Sequence, residues 1–230
     1  MNYTVVEGLL DLSSRGLKSI DEIPEEVTSL VCLSNSLRSL PKLPKNLKFL
    51  DCSNNMLVEL PDLPKSLKIL KCSYNRLQSL PLLPNLRVLE CDYNSLVVLP
   101  ELPTKMHKLM CSTNQIQSLP VVPDSMRELY CDENELTELP RMPKYLEILF
   151  CGKNRISELP DMSHLEILHY LSCPCNLLTH LPTIPKSVSK FTWYDNPLHQ
   201  DLLTLFEDKT TKQQIEELRK FNTPVVIWTV

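Results

Sequence analysis

Cysteine offers this chain its most versatile chemistry, yet the spacing of its cysteines points away from chemical use. Cys32, Cys52, Cys72, Cys91, Cys111, Cys131, Cys151 and Cys173 recur every 19 to 22 residues, and Trp193 continues the column. Such regularity puts each sulfur at one fixed point of a repeated unit, and its apolar neighbours put that point inside. A buried thiol ionises poorly, so these are expected to be reduced, inert fillers rather than nucleophiles. Parallel side chains on adjacent units and an odd total of 9 cysteines argue against a disulfide framework. Cys173-Pro174-Cys175 is a local excess, but no second ligand pair at zinc-like spacing accompanies it. His107, His164, His169, His180 and His199 fall on variable positions or outside the repeat, and form no triad or metal spacing. In Cys91-Asp92 and Cys131-Asp132 the sulfur is expected to point inward and the carboxylate outward. No catalytic residue, metal site or cofactor is therefore expected, and the chain is expected not to be an enzyme.

The elements that hold this column follow from a second one, three residues on: Asn35, Asn55, Asn75, Asn94, Asn114, Asn134, Asn154, Asn176 and Asn196. A fixed period in this range means stacked supersecondary units. Residues 47 to 64 show the unit in full, with Leu47, Leu50, Cys52, Asn55, Leu57, Leu60, Pro61, Leu63 and Pro64. Apolar and variable residues alternate along Leu50-Asp51-Cys52-Ser53, the signature of a strand with one buried face. So short a strand buries its apolar face only by pairing with its equivalent next door, in a parallel in-register sheet. Each asparagine is expected to satisfy main-chain groups where the chain leaves the strand, since its amide both donates and accepts. The Leu-Pro-x-Leu-Pro segment forbids a regular helix on the outer wall and predicts extended, polyproline-like backbone. With only 3 glycines, prolines do the turning.

At 230 residues with a net charge of −4 and no Lys/Arg tract, the chain is expected to be one elongated domain that does not bind nucleic acid. No apolar run reaches a membrane span, and the start lacks the form of a signal peptide, so a cytoplasmic monomer without membrane attachment is expected. Residues 1–20 put Leu12 at the Cys position and Arg15 at the Asn position, and are expected to form a degenerate capping repeat. Residues 21–197 are expected to form the solenoid. Residues 198–230 are expected to form a C-terminal cap, with helical spacing at Leu202, Leu205, Phe206, Ile215 and Leu218, a break at Asp208 to Thr211, and an apolar strand at Val225 to Trp228. A partner-binding tail is the alternative for that segment.

Over about residues 9 to 197 the repeat resembles that of leucine-rich-repeat proteins, in the short Leu-Pro-x-Leu-Pro class found in secreted bacterial effectors and large DNA viruses. The resemblance implies a curved solenoid of the α/β repeat class, with a parallel sheet on the concave face that binds a protein partner. Cysteine at the inward position looks more like a viral or protist version. Some bacterial relatives carry a ubiquitin-ligase domain with a Cys-x-Asp motif. No such triplet occurs here, so the fold carries over and the ligase activity does not. An adaptor for a ligase-type assembly, recruited through the C-terminal segment, is the alternative function.

On such a sheet the residues beside each Cys make the concave face. Met110, Tyr130 and Phe150 then stand on consecutive rungs, beside the aromatic rungs Tyr74 and Tyr93, with Asp92, Asp132 and Tyr194 in neighbouring columns. An aromatic strip of this kind is where binding energy concentrates. The alternative is that sheet propensity alone favours such residues on strands.

Overall fold

The structure, a computed structural model, describes residues 4–198, 204 and 209–220. Ten strands of three residues each stand in sequence order in one parallel sheet: β1 (Leu9–Asp11), β2 (Ser29–Val31), β3 (Phe49–Asp51), β4 (Ile69–Lys71), β5 (Val88–Glu90), β6 (Lys108–Met110), β7 (Glu128–Tyr130), β8 (Ile148–Phe150), β9 (Tyr170–Ser172) and β10 (Lys190–Thr192). Equivalent residues pair throughout, for example Leu50 with Leu70 and Leu109 with Leu129. The pairing even absorbs the 19-residue step between Asn75 and Asn94, because the deletion falls in the outer turn after Pro84.

Each strand buries its central residue and leaves its two flanking residues on the concave side. The strand ends one residue earlier than the alternation alone suggests, so Cys52 and its equivalents follow the strand. The ladder nevertheless runs on: Cys52 N–H donates to Lys71 O at 2.8 Å and Asn54 N–H to Ser73 O at 2.9 Å. Leu47, Leu50, Cys52, Leu57 and Leu60 all point inward and belong to one continuous core with their counterparts. Burying each leucine contributes about 1.5–3 kcal/mol, and no coil can collect it without a neighbour. Past each Leu-Pro-x-Leu-Pro run a tight turn returns the chain to the sheet, with Leu47 N–H donating to Pro44 O at 3.1 Å and Leu67 N–H to Pro64 O at 3.0 Å.

Each asparagine amide joins two coils. The Nδ2 of Asn114 donates to Cys91 O, Cys111 O and Ser112 O at 3.1, 3.1 and 3.2 Å, and its Oδ1 accepts from Leu96 N–H at 3.0 Å. The first coil lacks this amide. There Arg15 reaches its own Asp11 O through Nη2, and its N–H donates to Oδ1 of Asn35 in the next coil. At the other end Phe191 is buried and Trp193 packs partly buried against the core. Helix α1 (Thr211–Lys220) lies against β10 with Ile215 and Leu218 buried. Thr210 caps it reciprocally with Gln213: Thr210 N–H donates to Gln213 Oε1 at 2.8 Å and Gln213 N–H to Thr210 Oγ1 at 3.4 Å. The helical positions Leu202, Leu205 and Phe206 and the strand at Val225 to Trp228 lie outside the described residues.

Candidate interaction surface on the concave face

The concave face is built from columns whose backbone differs by position. The residue two places after each position of the Cys column, Trp193 included, sits in the left-handed region, with φ from 51° to 57° at Ser34, Asn54, Tyr74, Tyr93, Thr113, Glu133, Lys153, Cys175 and Asp195. That turn sets the following asparagine against the wall and leaves its own side chain outside. Tyr74 and Tyr93 are accordingly 54% and 46% exposed. Their rings stack with centroids 4.3 Å apart and planes 9° from parallel.

On the rung after that of Tyr93, Met110 pairs in register with Tyr130, and Tyr130 with Phe150. The rings of Tyr130 and Phe150 meet edge to face, with centroids 5.2 Å apart at 76°. These side chains are half-buried rather than fully exposed, because neighbouring rungs cover one another. Tyr74, Tyr93, Met110 and Tyr130 line one shallow groove of about 460 Å³, together with Asp92. Phe150 adjoins it through Tyr130. Asp132 and Tyr194 are not among its lining residues, and Tyr194 stands three strands away from Tyr130, beyond β10.

Two ion pairs lie within the sheet beside the groove. Lys71 pairs with Glu90 at 3.2 Å and Lys108 with Glu128 at 3.0 Å. Lys108 also lies 5.6 Å from the centre of the Tyr130 ring, and the Tyr130 hydroxyl donates to Glu128 Oε2 at 3.3 Å. Burial, and then the Glu128 carboxylate, push the Tyr130 phenol up from its ordinary value.

The two aspartates depart from the outward orientation expected of them. Asp92 is buried, with Oδ1 accepting from Ser112 N–H at 2.8 Å and Oδ2 from the Ser73 hydroxyl at 3.3 Å. Asp132 Oδ1 accepts from Gly152 N–H at 2.8 Å. Both carboxylates accept main-chain N–H groups of the next coil and so help tie neighbouring coils together. Desolvation raises both above the ordinary carboxylate value, opposed by these hydrogen bonds. Gly152 is small for a reason that crosses coils: a Cβ there would stand 2.9 Å from Cγ and Cδ of Pro174 and 3.2 Å from Asp132 Oδ1.

All nine cysteines are free, and Cys175 alone is not buried. Burial pushes the Cys32 and Cys173 thiols up to about 12, and those of Cys52, Cys91, Cys131 and Cys151 well above the ordinary value. Several donate weakly to the next coil, as Cys91 Sγ does to Met110 O at 3.3 Å. Cys175 lies 3.7 Å from Asp195 Oδ2, and burial followed by that carboxylate raises its thiol, the opposite of activation. His164 Nε2 is 2.8 Å from Met142 O and His169 Nδ1 is 3.3 Å from Ser187 O, each bridging adjacent coils. Among the described residues no group of three or more His, Cys, Asp or Glu side chains is placed to hold a metal ion, and no helix is long and apolar enough to cross a membrane.

A family model described as Leucine Rich Repeat matches residues 46–67. No curated protein matches the sequence. Among solved structures, YopM from Yersinia enterocolitica WA-314 superposes with a TM-score of 0.78 at 35% identity, over 81% of this chain and 41% of that one. YopM from Yersinia pestis, described as a leucine-rich effector protein, gives 0.75 at 36% identity, over 83% and 57%. A chain from the octameric complex of Latrophilin 3, Unc5D and the leucine-rich-repeat part of FLRT2 gives 0.67 at 25% identity, over 84% and 68%. The chain thus spans about half the length of the two YopM proteins. Ten in-register strands on a repeat of about twenty residues thus give the chain a leucine-rich-repeat solenoid fold, similar to that of the YopM proteins.

Proposed function

We propose that this chain is a non-enzymatic protein-interaction module that takes a protein partner on its concave face, centred on Tyr74, Tyr93, Met110, Tyr130 and Phe150. The carrying observation is the continuity of apolar ring surface across neighbouring rungs, from the stacked Tyr74 and Tyr93 to the edge-on Tyr130 and Phe150. Rings held by one another lose little freedom on binding, which is how aromatic anchors come to dominate interfaces. Lys71 and Lys108 are tied up in ion pairs beside the rings, while Asp51 and Asp92 also line the groove, so the apolar ring surface stands in an acidic setting. The solenoid chain from the Latrophilin 3 complex, itself part of a protein assembly, supports the class of function.

The test replaces Tyr130 and Phe150 by Ser and compares the proteins that the original and the variant capture from a candidate host or parent extract, alongside thermal melting. A partner lost by the variant at an unchanged melting temperature supports the reading. A partner retained in full refutes it for this face.

A further inference from the structure

One row of side chains lies outside both the groove and the core. The residue before each strand donates its N–H to the carbonyl of the equivalent residue one coil earlier: Lys68 to Lys48 at 2.8 Å, Arg87 to Lys68 at 2.8 Å, His107 to Arg87 at 2.9 Å and Arg127 to His107 at 2.9 Å. Main-chain bonds thus fix Lys48, Lys68, Arg87, His107 and Arg127 in a straight file along the edge where the chain enters the sheet. The file is roughly 19 Å long at the usual inter-strand spacing. Exposed Lys45, Lys65 and Lys105 in the preceding turns add to it, with Asp124 the acid among them.

Charge is distributed unevenly between this file and the sheet beside it. Lys71 and Lys108, on the concave columns, are paired with Glu90 and Glu128, and Arg127 at the end of the file is paired with Glu147 at 3.7 Å. Lys48, Lys68 and Arg87 have no carboxylate partner among the described residues. A protein of net charge −4 therefore carries a concentrated positive edge. On its concave side the edge is bordered by Phe49, Ile69 and Val88, the half-buried first residues of β3, β4 and β5.

We propose that this edge is a second docking surface, and that it takes an acidic amphipathic helix of a partner protein lying along the stack. Spacing selects the helix. A helix offers one carboxylate per turn of about 5.4 Å, which drifts from a rung spacing of about 4.8 Å by less than an ångström per coil, within the reach of a lysine. An extended segment offers same-side residues about every 6.7 Å and falls out of step within two coils. The bordering apolar row selects protein over nucleic acid, because Phe49, Ile69 and Val88 suit the apolar stripe of such a helix and give a phosphate backbone nothing to contact.

The surface is separate from the concave aromatic groove and does not depend on it. The probe is a synthetic helical peptide of about sixteen residues with Glu on one stripe and Leu beside it, its binding followed by fluorescence anisotropy at low salt. Comparison ligands are the Glu-to-Gln peptide and a DNA duplex of matched charge. The expected result is binding that falls at least about tenfold with the Gln peptide, and equally with Lys48→Glu, Lys68→Glu and Arg87→Glu combined, while Tyr130→Ser with Phe150→Ser leaves it unchanged. Should the triple reversal fail to fold, Lys48→Gln, Lys68→Gln and Arg87→Gln serve in its place. Absent binding, equal binding by the reversed edge, loss of binding on changing only Tyr130 and Phe150, or tighter binding of the duplex than of the peptide would each overturn the proposal, the last by assigning the edge to phosphate.

Discussion

Replacing asparagines of the ladder one at a time and then in pairs tests how the stack is held together. Asn134 Nδ2 donates to Cys111 O, Cys131 O and Asp132 O at 3.0, 3.2 and 3.0 Å, and Oδ1 accepts from Ile116 N–H at 3.0 Å. Three of these partners have a second bond. Cys111 O also accepts from Asn114, Cys131 O from Asn154, and Asp132 O from Thr113 N–H. Asn134→Ala therefore orphans one buried group, the Ile116 N–H, and is expected to cost about 1–3 kcal/mol. Asn154→Ala likewise orphans the Leu136 N–H. Together the two substitutions also leave Cys131 O with neither amide, so the pair should cost about 1 kcal/mol more than the sum of its parts. Asn55→Ala with Asn134→Ala shares no carbonyl and should add within about 0.5 kcal/mol. Urea unfolding followed by circular dichroism, with all variants at the same denaturant slope, measures every corner of both cycles. Strict additivity in the adjacent pair would refute the shared-carbonyl account of cohesion.

Three further predictions concern the face and the core. Gly152→Ala should destabilise by about 1–3 kcal/mol through its collision with Pro174, and adding Pro174→Ala should restore much of that; an unchanged melting temperature in the single variant would remove the steric explanation. Asp92 has a folded-state value raised by burial, so its contribution to stability is greatest below the unfolded carboxylate range and declines as pH rises through the folded value. Asp92→Asn should accordingly melt at or above the original at neutral pH, with any advantage vanishing in acid, and a variant less stable at neutral pH than in acid relative to the original would contradict the sign. Titration with a thiol reagent in native buffer should modify about one cysteine per chain, Cys175, and the remaining eight only on unfolding; rapid reaction of several thiols in the native state would be incompatible with their burial.

Much of the fold was legible because the repeat states it several times over. Cys and Asn columns in step fix the period, and the period fixes an in-register parallel sheet, since no other arrangement buries every Leu50 equivalent. The deletion near Asn85 leaves pairing intact for the same reason. What the sequence hid was position within the coil. The strand stops at Asp51 although apolar and variable residues go on alternating through Cys52, and the left-handed turn follows only at Asn54. The carboxylates of Asp92 and Asp132 fold back onto Ser112 and Gly152, a contact between coils that no pattern within one coil announces. The cationic file escaped notice because its members stand before the strand, in a column that alternation does not mark as facing either way.

The left-handed column ties architecture to surface. Such backbone costs on the order of 1 kcal/mol or more for a residue with a side chain. Here it recurs in every coil from Ser34 to Asp195, whether the residue is Tyr, Thr, Glu or Lys. Side-chain preference therefore does not produce it, and Thr113, whose branched Cβ suits it least, adopts it with φ of 56°. Its neighbours impose it. In coil after coil the left-handed residue donates its N–H to the next coil, as Tyr74 does to Asp92 O at 2.9 Å, and its carbonyl accepts from the coil before, as Tyr74 O does from Asn55 N–H at 3.1 Å. The next residue is the asparagine whose amide spans two coils. With backbone and amide both committed to the stack, the side chain at this position is released from structural duty and stands outside, which is how Tyr74 and Tyr93 come to stack in the open. The turn that holds the solenoid together thus leaves one position per coil free to vary, and in the fourth and fifth coils that position carries the exposed tyrosines of the groove.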